Sequence, residues 1–266
     1  GRRQYSDQDL EKLTLLHLLT KAGYRIGDIA RHGLGQLRDL AGDIAAADVV
    51  VPTGSSGVGT AEELLAQALD ATSNLDSRGL EKVMERALLG LSKPMLRSQL
   101  LVPLMVEVGE RWGDGRLRVA HEHMASSIVS SFLYSLNVRQ PVLPGAPVLV
   151  VATPSGQIHE LGALLAASVA LESGWDVLYL GCDLPAEDIA AAAHDRGARG
   201  VLMSLVFPLN DPAVAGQIRQ LRRLLGVGIS LVVGGRAAPS YAAVLNEVGA
   251  RTVADDVSLA SLLSDI

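Results

Sequence analysis

The sequence predicts a helical amino-terminal half followed by an α/β domain, and three observations carry that prediction. Up to Asn137 the apolar residues recur at the three- and four-residue spacing of amphipathic helices. From Val148 onward, β-branched runs alternate with helical segments. Two stretches rich in Gly, Ser and Pro, "VVVPTGSSGVGT" at 49–60 and "RQPVLPGAP" at 139–147, separate the parts.

The first part, residues 1–47, opens with Ser6-Asp7-Gln8-Asp9, a capping box in which Ser6 is the N-cap and Asp9 replaces the usual Glu. Leu10, Leu13, Leu16 and Leu19 continue at helical spacing until Gly23 ends the helix. A short helix at 26–31 and another at 34–46 follow, then a linker at 48–59. Residues 60–140 offer helical segments at 61–71, 77–89, 94–112 and 119–136 with short joints, the pattern of an antiparallel four-helix bundle. In residues 147–266, strands are expected at 148–152, 176–180, 200–204, 230–233 and 251–253. Helices at 158–173, 185–196, 212–225 and 237–248 lie between them. Five strands interleaved with helices imply a Rossmann-like open parallel sheet covered on both faces.

Composition narrows the function classes. The 266 residues are 48% hydrophobic, 20% charged and only 3% aromatic, so the chain reads as a soluble protein with an aliphatic core. The absence of an 18-residue apolar run and of a signal peptide argues against a membrane span or secretion. The single Cys182 excludes a disulfide framework within the chain and fits a reducing cytoplasm. With a net charge of −6, any contact with DNA must be local, and "GRRQYS" at the start is a compact basic patch. The chain opens on Gly1 and enters its first helix almost at once, which reads as the remainder of a longer chain. No nucleophile–base pair, metal-ligand cluster or phosphate loop supports an independent enzyme.

The chemistry-bearing residues fall at predicted strand ends, the edge where open parallel sheets bind ligands. His159 follows the first strand, with Gly162 three residues later. After 41 residues (163–203) come Ser204-Leu205-Val206, and after 27 more (207–233) come Gly234-Gly235. Alone, His159 reads as a surface or capping residue; the three elements together converge on one edge.

This series resembles the cobalamin-binding domain of methionine synthase, the methylmalonyl-CoA and glutamate mutases and related proteins. Their pattern is Asp-x-His-x-x-Gly, then Ser-x-Leu, then Gly-Gly. The resemblance implies that His159 replaces the cofactor's dimethylbenzimidazole as lower cobalt ligand, through a neutral imidazole nitrogen. It implies that Ser204 and Val206 line the slot for the displaced nucleotide tail. Gly234 and Gly235 leave room for that tail, and Gly162 lets the helix start lie close to the corrin. The family's acid, which orients the imidazole, is Gln157 here, an amide that can accept a hydrogen bond but carries no charge.

"ERWGDGRLRVAHEHMASSIVS" at 110–130 resembles the helical cap that covers the upper corrin face in such proteins. It places Trp112, Glu122 and His123 in contact with the cofactor; read alone, Trp112 is a core residue and the Glu-His pair a solvated face. The amino-terminal stretch resembles the second half of a MerR-type DNA-binding domain, a winged-helix remnant in which Gly1, Arg3 and Tyr5 match the wing. Arg3 and Tyr5 then touch phosphate oxygens, and the base-reading helix-turn-helix lies upstream.

The order of parts resembles the light-responsive, cobalamin-dependent repressors of carotenoid genes. That resemblance implies adenosylcobalamin as a light sensor, operator DNA as partner, a homo-oligomer (tetramer or dimer), no membrane, and a cytoplasmic location. In that family a histidine just after the Trp replaces the adenosyl group in light; here that position is Gly113. Two other readings stay open: a corrinoid methyl carrier of a methyltransferase system, and a regulator that has lost cobalamin. The first 47 residues discriminate the first of these, since a methyl carrier has no use for a DNA wing.

Overall fold

The computed structural model describes Lys12, Leu15, Leu16, Leu19, Tyr24, residues 26–38, Leu40 and residues 59–266. The expected wing residues Gly1, Arg3 and Tyr5, the capping box at Ser6, and the linker up to residue 58 lie outside the described residues. The chain divides into two compact units between Ile128 and Val129.

In the first unit, Lys12, Leu15, Leu16 and Leu19 are helical, as are α1 (Ile26–Ile29), residues 34–38 and Leu40. Leu19, Ile29 and Leu37 are buried together, as the leucine spacing predicts. The bundle helices follow: α2 (Ala61–Ser73), α3 (Ser77–Gly90), α4, and the first part of α5 (Val119–Val138). Helix α4 runs through Lys93–Met95, a π-helical stretch at Leu96–Leu101, and Val102–Gly113. Helix α2 starts on a full capping box: the Thr60 hydroxyl accepts from the Glu63 N–H at 3.1 Å, and the Glu63 carboxylate accepts from the Thr60 N–H at 2.8 Å. Helix α3 is capped by Asp76, whose carboxylate accepts from the Gly79 N–H at 2.9 Å. Leu64, Ala68, Leu80, Met84, Leu100, Leu104 and Val108 are buried at the spacing that makes each helix amphipathic. Among the described residues no helix is long and apolar enough to cross a membrane.

The second unit carries a five-stranded sheet: β1 (Val148–Pro154), β2 (Asp176–Leu184), β3 (Gly200–Ser204), β4 (Ser230–Gly234) and β5 (Arg251–Thr252). Every pairing is parallel and the spatial order is β2-β1-β3-β4-β5. Between strands lie α6 (Leu161–Glu172), α7 (Ala186–Asp195), α8 (Pro212–Leu225) and a 3-10 turn (Ala238–Tyr241) leading into α9 (Ala242–Glu247); α10 (Asp256–Ser264) closes the chain.

Alternation along the strands feeds two cores. Val150, Ala152, Val201, Met203, Leu231 and Val233 pack with α7, α8 and α9 on one face. Leu149, Val151, Leu202 and Val232 pack with α6 and α10 on the other. Continuous apolar strands are what a sheet covered on both sides requires.

Several expected boundaries move, three of them with structural consequences. The helix expected from 158 starts at Leu161, which leaves His159 on the loop. The helix expected over 237–248 forms as the 3-10 turn followed by α9. The second strand, expected to end at 180, extends to Leu184 through two register shifts against β1. Gly181 (φ +95°) and Asp183 (φ +60°) absorb those bulges in left-handed conformations, so a residue pattern that looks like a strand end is a bend within an edge strand.

Ile218 on α8 is fully buried in the larger core. Ile218→Ala is expected to lower stability by about 2–5 kcal/mol, the usual cost of such a cavity. Urea unfolding followed by circular dichroism measures it, and a loss well under about 1 kcal/mol would show the core to be looser than described.

Candidate functional site

Strand β1 is the turning point of the sheet. The connection through α6 leads to β2 on one side of it, and β3 lies on the other side. Loops leaving the carboxyl ends of β1 and β3 therefore diverge, and the crevice between them is where such sheets bind ligands.

The loop after β1 is held before it reaches the histidine. The Thr153 hydroxyl donates to the Gln157 carbonyl and accepts from the Asp183 N–H at 3.0 Å. The Asp183 carboxylate accepts from the Gly156 N–H at 2.8 Å, and the Asp183 N–H also reaches the Gln157 carbonyl at 3.2 Å. The bulged end of β2 thus clamps residues 153–157. Ile158 and His159 emerge from this clamp exposed to solvent. Glu160 then accepts from the Tyr179 hydroxyl at 2.8 Å. Burial, and next that hydrogen bond, push the Tyr179 hydroxyl far above its ordinary value, so it stays a donor. Burial, followed by the Glu160 charge, also raises the Cys182 thiol, which disfavours a reactive thiolate there.

The loop after β3 is pinned from several sides. Gln157 is fully buried, and its amide oxygen accepts from the N–H groups of Val206 (2.8 Å) and Phe207 (3.1 Å). Tyr241 donates its hydroxyl to the Pro208 carbonyl at 2.8 Å and accepts from the Asp211 N–H at 3.0 Å. The Leu205 N–H donates to the Gly234 carbonyl at 2.9 Å, and the Ala237 N–H to the Leu205 carbonyl at 3.0 Å. Phe207, half-exposed, stands edge-to-face with His159 at a ring separation of 6.5 Å.

These contacts bring the six expected residues of the second unit together: His159, Gly162, Ser204, Val206, Gly234 and Gly235. The glycines answer first to the protein itself. A Cβ on Gly162 would meet the Ser204 hydroxyl at 2.5 Å, so this glycine lets α6 lie against the end of β3. A Cβ on Gly235 (φ +95°) would lie 2.3 Å from the Leu205 carbonyl oxygen, and one on Gly234 would lie 3.1 Å from the Val253 side chain.

The residues fit a corrinoid. Two buried polar atoms, Gln157 Nε2 and Ser204 Oγ, have no hydrogen-bonding partner among the described residues, an arrangement that buried groups avoid unless a ligand or water completes it. Beside them, His159 offers an exposed imidazole at the strand ends, a donor of the type cobalt takes.

The other expected residues belong to the first unit. Trp112 is half-exposed near the end of α4, and a Cβ on Gly113 would have open space around it. At the start of α5, His123 Nδ1 lies 2.7 Å from the Glu122 carboxylate, within hydrogen-bonding distance, with His123 largely exposed. His121 is buried, and its Nδ1 accepts from the Arg118 N–H at 3.2 Å, so that imidazole serves the helix start. Sequence reasoning missed Phe207, Asp183 and the Glu160–Tyr179 pair. Only the proximity of Phe207 to Ser204 and of Glu160 to His159 could have signalled them.

Comparison with known proteins identifies the families that the two parts match. Residues 147–258 match a family described as B12 binding domain, and residues 61–137 match a second family with the same description. The HTH-type transcriptional repressor CarH of Myxococcus xanthus is 30% identical over 244 residues, covering 92% of this chain and 80% of that protein. The dimethylamine corrinoid protein of Methanosarcina barkeri is 26% identical over 206 residues, 74% of this chain and 93% of its own. The solved monomethylamine corrinoid protein of Methanosarcina barkeri shares the fold, with a TM-score of 0.63 at 21% identity over 78% of this chain and 100% of that one.

Gly235→Ala is expected to cost more stability than Gly156→Ala. Both residues have positive φ, worth about 1–3 kcal/mol of strain, but only Gly235 faces backbone; around Gly156 the nearest atom would be 3.8 Å away. Equal losses in paired urea titrations would contradict the close packing of the β3 and β4 loops.

Proposed function

This chain belongs to the family of the transcriptional repressor CarH and is a B12-binding protein, and from that premise we propose that it is a transcriptional regulator whose effector is adenosylcobalamin. The observation that carries the cofactor reading is the built crevice: an exposed His159 together with buried, unpartnered Gln157 Nε2 and Ser204 Oγ. His159 would hold the cobalt of the cofactor through an imidazole nitrogen. Ser204, Val206, Gly234 and Gly235 form the slot for the nucleotide tail. Trp112, Glu122 and His123 contact the cofactor from the helical cap. Bound adenosylcobalamin supplies a cobalt–carbon bond that light cleaves, which makes the regulator a light sensor.

The regulator reading is favoured over the methyl carrier by reach along the chain. The CarH match spans 244 residues, more than the 206 that follow Thr60, so it extends into the amino-terminal segment. The corrinoid protein matches over 206. As part of this proposal, Arg3 and Tyr5 contact phosphates of operator DNA, in the cytoplasm and within a homo-oligomer, either tetramer or dimer.

Mixing the protein with adenosylcobalamin in the dark is expected to give one bound cofactor per chain after gel filtration. His159→Ala should shift the bound spectrum toward a form lacking nitrogen from below. Failure to retain the cofactor, or an unchanged spectrum in the variant, would overturn the reading.

The space around Gly113 yields a second expectation. At Gly113 a Cβ meets no neighbour within 4 Å, and Gly113→His should give a two-imidazole spectrum after green light, one that the unmodified chain does not show. A two-imidazole spectrum from the unmodified protein would mean another histidine fills that place.

A further inference from the structure

Gln157 is buried and stands two residues before the proposed cobalt ligand, yet its side chain is committed elsewhere. A carboxamide oxygen has two lone pairs, and here they receive the N–H groups of Val206 and Phe207 at 2.8 and 3.1 Å. The remaining polar atom, Nε2, is a donor, and it is buried without a partner among the described residues. An imidazole that binds a metal through one nitrogen carries a proton on the other and is steadied by an acceptor for it. Gln157 has no acceptor left to offer.

We infer that Gln157 is a positioning residue for the segment after β3, and that the His159 ligand consequently lacks support from position 157. This rests on the reading that cobalamin binds at this crevice with His159 below it. The backbone of Gln157 reinforces the assignment. Its N–H donates to the Pro154 carbonyl at 3.0 Å, and its carbonyl receives Thr153 and Asp183, so the side chain is delivered inward by a fixed turn. The clamp therefore couples the loop bearing His159 to the loop bearing Val206.

Two substitutions separate the roles. Gln157→Glu keeps an oxygen for Val206 and Phe207 and replaces the idle donor with an acceptor of nearly the same shape. Gln157→Leu removes the clamp. In the protein without cofactor, hydrogen–deuterium exchange of the peptide spanning 205–209 should rise about tenfold in Gln157→Leu and stay near the wild-type rate in Gln157→Glu. With adenosylcobalamin in the dark, the wild type should show a mixture of nitrogen-ligated and unligated spectra. Gln157→Glu should raise the ligated-to-unligated ratio at least about tenfold, the scale on which such supporting groups act. A wild-type spectrum already fully ligated and unchanged by Gln157→Glu would overturn the missing support. Unaltered exchange in Gln157→Leu would overturn the clamp; if that variant does not fold, Val206 and Phe207 amides that exchange without protection in the wild type would do so instead. A wild type that takes up no cofactor would defeat the cobalamin reading, while the exchange result would still decide the clamp.

Discussion

Parallel strands can be joined only by crossovers, and in this sheet the crossovers on either side of β1 lie on opposite faces. Helix α6, which receives the chain from β1, covers the face lined by Leu149 and Val151, whereas α8, which receives it from β3, covers the face lined by Val201 and Met203. The carboxyl ends of β1 and β3 must therefore release their chains in different directions. The crevice between them follows from topology, before any side chain in it is chosen. His159, Ser204 and Val206 are placed by this constraint, and Gly234-Gly235 joins them because β4 is the next strand in the sheet.

Topology alone would leave two floppy loops. The chain stiffens them with polar groups that face inward. Asp183, at a bulge of the edge strand, holds the turn before His159, and Tyr241 braces the far end of the loop after β3. Gln157 links the two. Such a frame orders the site before a ligand arrives, and a site ordered beforehand spends less of its binding energy on fixing loops. The unpartnered Gln157 Nε2 and Ser204 Oγ are the cost of that order in the absence of a ligand.

Much of this was legible in the sequence. The five strands, the two-sided burial and the position of His159 beyond the first strand all follow from periodicity, because apolar alternation and helix spacing are local signals. The spacing from His159 to Ser204 and to the glycine pair located the crevice. What local patterns could not carry was contact across the sheet. The pattern around Gly181 suggested a strand end, and only pairing with β1 reveals the bulge that makes Asp183 a clamp. Nor does the sequence show that the missing Cβ atoms of Gly162 and Gly235 make room for Ser204 and the Leu205 backbone. Gln157 could be seen as a departure from an acid, but its bonds to Val206 and Phe207 span about fifty residues of sequence and have no local signature.

The central claim is that a histidine of this chain binds cobalt from below. Electron paramagnetic resonance of the protein loaded with cob(II)alamin tests it most directly, because an axial nitrogen splits the signal according to its nuclear spin. Protein grown with 15N-histidine should convert triplets into doublets for the ligated fraction, and His159→Ala should abolish those doublets. Triplets that persist in the labelled protein would mean that the cofactor keeps its own base, and would contradict the account.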